Sequence, residues 1–575
     1  MKKNIIIPVV ALALVYFFGS CNSGTGTSDS PVSKDPAMIA KGETYFTQYC
    51  VGCHNIKQDG IGPFLGGITS RVSIGWMQNF IKNPQEVISS GDEHAMQLFT
   101  KYKIAMPSFS YLKEDDVNAL IAYLNAQPAP EIVLDTSNGK ELLNPLADTI
   151  GPSNIIANIN LFTQIPASID SGKKPYTRIT KMDYQPGNGS LFVVDLRGKL
   201  YRMENNIPKV YMDMTKLKPA FMENPGLGTG FGSFAFHPEF AKNGIFYTVH
   251  SEATGSAKAD FSYADSIKVA LQSVVTEWKA ADAAAITFTG TSRELFRVNM
   301  ANVIHGIQEI SFNPYAKKGG KDYGLLYIGV GDGGSVEAGY PFLPHNIEHI
   351  WGTVLRINPM GKNSANGQYG IPANNPFVNN KNKKALGEIY AYGFRNPHRI
   401  SWTTSGKMLA CNIGQQYIES LDMIKPGKDY GWPIREGTFL VNPYGNLNKV
   451  YPLPANDSIY KITYPVAQFQ HHWGYGAISG GFEYSGTAIP ALNGKYLFGD
   501  IPTGKLYYVE MADLKQGRQA IIKEWKISYN GIEKTLKELC GNDRVDLHFA
   551  KDAHGEIYIL TKADGKIYQI TSAKK

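Results

Sequence analysis

The chain has 575 residues, with 57 Lys and Arg against 50 Asp and Glu and a net charge of +7 at neutral pH. Over that length the field is weak, and no basic cluster tracks a phosphate backbone, which excludes nucleic acid as a partner. The cysteines number five, few enough to be accounted for one at a time.

Lys2 and Lys3 precede an apolar run over 5–18, interrupted by Pro8. That run is short for a membrane-crossing helix and suits the core of a signal peptide, so 1–20 is read as one. Phe18-Gly19-Ser20-Cys21 resembles a bacterial lipoprotein box, with phenylalanine where leucine is commoner. The resemblance implies lipidation at Cys21 and makes 21–37, rich in Gly, Ser and Thr, a flexible tether. The alternative is a secreted protein whose Cys21 leaves with the leader. A lipid would anchor the chain to a membrane without spanning it. The expected place is the bacterial cell envelope, exported to the periplasm or the cell surface.

Cys50-Val51-Gly52-Cys53-His54 has the spacing of a covalent c-type haem site. Two cysteines three apart can form thioethers to the haem vinyls, and the adjacent imidazole can ligate iron. Cys-x-x-Cys also serves redox and zinc sites, but no second pair lies nearby to complete a tetrahedral zinc site. The sixth ligand is read as Met106, in Lys103-Ile104-Ala105-Met106-Pro107, ahead of its rivals Met96 and His94. A thioether opposite a histidine raises the haem potential. The bland reading of Met106 is core filling. This region resembles the Met-Pro loop of small class I cytochromes c. A leading helix over 38–49 and an i, i+3, i+4, i+7 stripe of Val117, Leu120, Ile121 and Leu124 complete one all-α cytochrome c domain over 38–128.

Residues 129–156 have little periodicity and read as a linker. From 157 to 573 the chain is rich in Gly, Tyr, Phe, Asn and Pro, and helix is expected only over 261–283, where Val274 to Trp278 is as strand-like as helical. A short β-prone run, a Gly-containing turn and a second β-prone run recur from Ser190, Gly244, Gly324, Lys407, Lys495 and Glu556. Six copies predict an all-β six-bladed propeller with its site at the axial funnel.

The segments Gly232-Ser-Phe-Ala-Phe-His-Pro-Glu-Phe, His305-Gly-Ile-Gln-Glu-Ile-Ser-Phe-Asn-Pro and Ile328-Gly-Val-Gly-Asp-Gly-Gly follow one another here. Tyr392-Gly-Phe-Arg-Asn-Pro-His-Arg, Gly414-Gln-Gln, Asp429-Tyr-Gly-Trp-Pro and Ile478-Ser-Gly-Gly-Phe come after them. In this order they resemble the soluble aldose (glucose/sorbosone-type) sugar dehydrogenases that use pyrroloquinoline quinone, over about residues 220–571. The resemblance implies that His305 is the catalytic base, since hydride transfer from an alcohol requires removal of the hydroxyl proton. It places Arg395 and Asn396 on the quinone, Arg395 stabilising the charge that grows there. It makes Gly414 and Gln415 the backbone-carbonyl ligands of a calcium ion. Asp332 would orient His305 or support the pocket, although Asp-Gly-Gly is first of all turn chemistry.

Two departures stand out. No polar counterpart is evident around Thr229, and a cofactor lysine is missing from Asp500-Ile501-Pro502-Thr503-Gly504, with Lys505 close by. His237 reads as core or turn. His471-His472-Trp473 is either a sugar contact or an exposed loop. Cys411 and Cys540 are either one disulfide or two buried thiols.

The function implied is a quinohaemoprotein dehydrogenase. It would oxidise a sugar or polyol, pass electrons through haem c, and deliver them to a downstream acceptor such as a cytochrome or respiratory chain. The alternative is a non-catalytic propeller that binds an extracellular glycan or protein beside an electron-transfer cytochrome.

Overall fold

A computed structural model describes residues 32–56, 61–102, 104–128, 140–146, 150–169, 172–223, 229–264, 267–470 and 476–574. The leader with Cys21, residues 129–139 and the His471-His472-Trp473 run lie outside the described residues.

In the N-terminal domain, Asp35 accepts the Ala37 N–H at 3.2 Å and Pro36 supplies a preset φ, so the first helix, Pro36–Tyr45, starts there. From Phe46 to Cys50 the winding widens to a π-type turn, which delivers Cys50 to the interior. The leading helix expected over 38–49 thus begins earlier and changes its winding before its end. Helix Glu114–Asn125 carries three acids in its first turn, where the macrodipole favours them. Its stripe of Val117, Leu120, Ile121 and Leu124 is buried. The two helices cross at Gly42, where an added Cβ would run into the backbone carbonyl of Ala119. Helices Ile74–Lys82, Pro84–Ser89 and Glu93–Tyr102 fill the remainder. Among the described residues, no helix is long and apolar enough to cross a membrane.

The C-terminal domain is all-β and propeller-like. Four-stranded antiparallel sheets open with Ile179–Tyr184, Phe231–Phe236, Ile307–Phe312 and Pro397–Trp402. A longer sheet holds both Ile478–Glu483 and Leu547–Lys551 as its end strands. These six opening strands pack side by side in chain order, and the last packs against the first. They therefore surround an axis. The seam lies in the long sheet, where strand Gly151–Gln164 pairs antiparallel with Lys566–Lys574 and parallel with Lys523–Tyr529. Closing a ring in this way removes exposed edges. Between neighbouring sheets, layers of buried aromatics such as Phe192, Phe236 and Phe246 supply the packing, each contributing about 1.5–3 kcal/mol by burial.

Two expectations change, and one open alternative is decided. The segment expected as helix contains strand Leu271–Ala280, buried on both faces between its sheet partners, and nothing in 267–283 is helical. The linker ends sooner than 156, because the seam strand starts at Gly151. Before it, Leu142 and Leu146 already donate to Val450 and Gln470 of the propeller-like domain. Cys411 and Cys540 are separate buried thiols in different hydrophobic clusters.

Candidate functional site

His305 sits just before the strand Ile307–Phe312 with a left-handed φ of 52°, a conformation that costs a non-glycine residue about 1–3 kcal/mol. The loop after Leu326–Val330 holds it there. Gly333 donates to the His305 carbonyl at 3.0 Å, and an added Cβ at Gly331 would strike the same carbonyl. The His305 ring nitrogen Nδ1 lies 2.8 Å from Asp332 Oδ1. Asp332 also accepts the Gly334 N–H at 2.9 Å and the Trp432 indole N–H at 2.8 Å, and is fully buried. Burial raises the Asp332 carboxyl to about 6 despite nearby Arg395. His305 falls to about 3, through burial first and the Arg395 charge second. Near neutral pH the pair is therefore a carboxylate beside a neutral imidazole. An ionised Asp332 accepts only, so it selects the Nδ1–H tautomer and leaves Nε2 to take a proton.

Arg395 precedes the strand Pro397–Trp402 and is 2% exposed. Its guanidinium donates to Glu337 Oε1 at 2.6 Å, to the Gly414 carbonyl at 2.5 Å and to Gln415 Oε1 at 2.9 Å. Its own carbonyl accepts the Asp332 N–H at 2.8 Å, so the two residues are held together. Asn396 donates to Gln308 Oε1 at 3.2 Å. The loop bearing Gly414 and Gln415 is pinned from below. Glu436 accepts the N–H groups of Gln416, Tyr417 and Ile418, and Glu419 accepts that of Gly414. Ligand atoms of His305, Asp332 and Glu337 lie within 4.8 Å of one another.

In the N-terminal domain the Cys53 and His54 N–H groups both bond the Cys50 carbonyl, which folds the haem motif into one turn. Neither thiol is in a disulfide. His54 Nδ1 lies 2.8 Å from the Pro63 carbonyl. That contact orients the ring, and Nε2 would be the nitrogen that ligates iron. Gly62 makes room for it, since an added Cβ would lie 2.5 Å from the ring. Met106 packs in the same cluster as Cys50, Phe46 and Leu120. Of its rivals, Met96 is 42% exposed, and His94 stands edge-on to Trp76 at the border of that cluster, with centroids 4.9 Å apart.

Residues 180–569 match the glucose/sorbosone dehydrogenase family, and residues 39–127 match cytochrome c. The chain belongs to the glucose/sorbosone dehydrogenase family. It carries, in addition, an N-terminal cytochrome c domain. HIPL2 protein of Arabidopsis thaliana is 27% identical over 53% of this chain and 46% of its own length. Quinoprotein glucose dehydrogenase B of Acinetobacter calcoaceticus is 30% identical over 23% of this chain and 28% of its own length. The chain thus spans less than half of these curated relatives. The apo-form of the soluble aldose sugar dehydrogenase of Escherichia coli superposes with a TM-score of 0.50 and 16% identity, over 73% of this chain and 99% of that one, a likeness of fold.

A cytochrome c domain implies haem c, and the donor set fits it: two thiols outside any disulfide, an oriented imidazole and a thioether in one cluster. The dehydrogenase site also fits a planar, carboxylate-bearing quinone in its chemistry. Buried polar atoms of Glu337 (Oε2), Asn396 (Oδ1), Gln415 (Nε2) and Ser335 (Oγ) have no partner. Burial lowers Lys562 to about 7; the Asp546 carboxylate opposes that shift, and the charges of Arg178, Arg544 and Arg399 add to it. Such crowded cations favour an anionic ligand. Lys505 is not among them, since it is half exposed and faces Glu524 at 3.7 Å. At Gly414 the carbonyl already faces a cation, the Arg395 guanidinium.

Sequence motifs passed over Glu337, Arg178, Arg544 and Lys562, and the marker segment holding Trp432 gave it no role. Glu337 follows Asp332 by five positions in the same loop, which was the one available signal. His237, by contrast, is a turn residue, its ring accepting the Glu239 N–H at 3.1 Å.

Proposed function

We propose that this member of the glucose/sorbosone dehydrogenase family is a quinohaemoprotein that oxidises a sugar or polyol and delivers the electrons to a haem c on the same chain. One observation carries the reading: the His305–Asp332–Arg395 cluster lies directly beneath the haem-attachment loop, and Glu337 and Arg395 are close enough for their charges to act on the Cys53 thiol.

Bound pyrroloquinoline quinone would supply a hydride acceptor. Arg395 and Asn396 would hold it, with the cations Arg178, Arg544 and Lys562 neutralising its carboxylates. The carbonyls of Gly414 and Gln415 would hold calcium. His305 accepts the substrate hydroxyl proton at Nε2, while Asp332 keeps its other nitrogen protonated and Trp432 keeps Asp332 in place. Arg395 brings a fixed positive charge that needs no reorganisation during the reaction.

The ring of six opening strands supports six blades. Residues 1–20 as signal peptide, lipidation at Cys21 and location in the periplasm or at the cell surface belong to the same reading, with an external electron acceptor downstream.

The second reading is a non-catalytic module that binds a glycan or protein. Its support is that Arg395 is fully paired without any ligand. Adding quinone and calcium to the haem-loaded protein, then a panel of aldoses and polyols, separates the two. Substrate-driven appearance of the ferrous haem spectrum is expected. A haem that stays oxidised with every substrate, and no turnover with a dye acceptor, leaves the binding reading.

A further inference from the structure

The two domains touch at one place that matters for electrons. Asn55, next in sequence to the iron ligand His54, donates its side-chain N–H to the Glu337 carbonyl at 2.6 Å. The Glu337 carboxylate in turn accepts from Arg395 at 2.6 Å. From the other side, Asn302 donates to the Val51 carbonyl at 2.6 Å. Gly52, between the two haem cysteines, lies against Ile304, and an added Cβ would stand 2.6 Å from Ile304 Cγ2. At the rim, Lys268 pairs with Glu43 at 2.6 Å, both side chains about half exposed.

These contacts select one face of the cytochrome. It is the face that bears the haem-attachment segment Cys50 to Asn55. On the propeller side the partners are Asn302 and Ile304, shortly before His305, and the loop that supplies Asp332 and Glu337. A tether without a docking preference would not place a hydrogen-bonding side chain beside each centre.

We propose that this contact is the electron-transfer junction of the protein, with Asn55 and Glu337 as positioning residues that hold the haem-attachment segment against the catalytic pocket. The inference rests on the quinohaemoprotein reading. Each substrate molecule gives up two electrons and two protons. The haem takes electrons singly, ferric to ferrous, so the junction is crossed twice per turnover. A one-electron acceptor reoxidises the haem between crossings, and the protons leave through His305 to solvent.

The test uses the haem-loaded full-length chain and two changes on the cytochrome side, Asn55→Ala and Gly52→Val. The first removes a hydrogen bond, and the second wedges a side chain against Ile304. Together they are expected to lower the docked population roughly thirtyfold. A zero-length carbodiimide crosslink between Glu43 and Lys268, read by mass spectrometry without quinone, reports docking independently of activity. It should form in the parent protein and be lost in the double variant. With quinone and calcium added, sugar-driven haem reduction should slow by a similar factor. Dye-linked sugar oxidation, the haem spectrum and the haem potential should stay unchanged.

Absence of the crosslink in the parent, or equal haem reduction in the double variant, overturns the inference. Sugar oxidation by a dye without haem reduction also overturns it and leaves the dehydrogenase reading standing. No oxidation with either acceptor overturns that reading, and the junction falls with it.

Discussion

The two centres are built in opposite ways. The haem site is local: Cys50, Cys53 and His54 lie within one turn, and the imidazole is fixed by Pro63 nine residues on. The dehydrogenase site is assembled at long range, from His305, Asp332, Glu337, Arg395, Gln415 and Trp432 on separate loops. A local site depends on its own helices, and a distributed one depends on the closure of the ring. Damage to one should therefore leave the other spectroscopically intact.

The largest effect expected is from Cys50→Ala combined with Cys53→Ala. Haem should then be removable by denaturant, and sugar-driven haem reduction should be abolished, while dye-linked oxidation persists. Denaturing electrophoresis with haem staining checks the first point. Next, His305→Ala should reduce turnover by roughly 10²–10⁴-fold without altering the haem spectrum, the usual range for loss of a general base. If the haem spectrum moves as well, the two centres are not separable in the way described. Met106→Ala should lower the haem potential in a redox titration and leave dye-linked oxidation unchanged, because a thioether ligand raises the potential.

A smaller effect follows from titration. Asp332 ionises at about 6, so turnover should fall as pH drops through that value and level off above it. Protonated Asp332 donates to His305 Nδ1 and turns the ring to the tautomer that cannot accept a proton at Nε2. Asp332→Asn should abolish this acid limb in a kcat-versus-pH profile. Stability should follow a different course. The Asp332 carboxyl is raised above its ordinary 3.8, so its contribution is lost as pH rises from 3.8 to about 6. His305 is depressed below 6.5, so its contribution is gained as pH rises from about 3 to 6.5. The two oppose, and the unfolding midpoint should change less across this window than either group alone would dictate. Least of all, Gly42→Val should destabilise the cytochrome domain by about 1–3 kcal/mol through the helix crossing at Ala119, with no change in dye-linked oxidation. Thermal unfolding followed at the haem band reads it.

The same contrast decides what could be read from residues alone. The Cys-x-x-Cys-His spacing carries its chemistry in five adjacent letters, and the stripe Val117 to Leu124 is a helix period that survives folding unchanged. The marker segments carried His305, Asp332 and Arg395, and the structure places these three in one cluster. Glu337 and Lys562 belong to no motif, and the motif holding Trp432 did not show its bond to Asp332, because these roles arise from where loops from distant strands converge. The misread segment 261–283 shows the limit of composition. Its alanines favour helix, yet Leu271–Ala280 is a strand covered on both faces, and such a strand lacks the alternation that would betray it. The early start of the seam strand escaped for a related reason, since its partners lie at the far end of the chain.

That seam has a consequence for biogenesis. Gly151–Gln164 leaves the ribosome directly after the cytochrome, but the strands that flank it are the last to be made. Until translation is nearly finished, the nascent protein carries an unmated β edge, an invitation to aggregation that export in an unfolded state would avoid. Maturation of the cytochrome c domain can therefore run ahead, while the propeller-like half waits for its final residues to zip the circle shut.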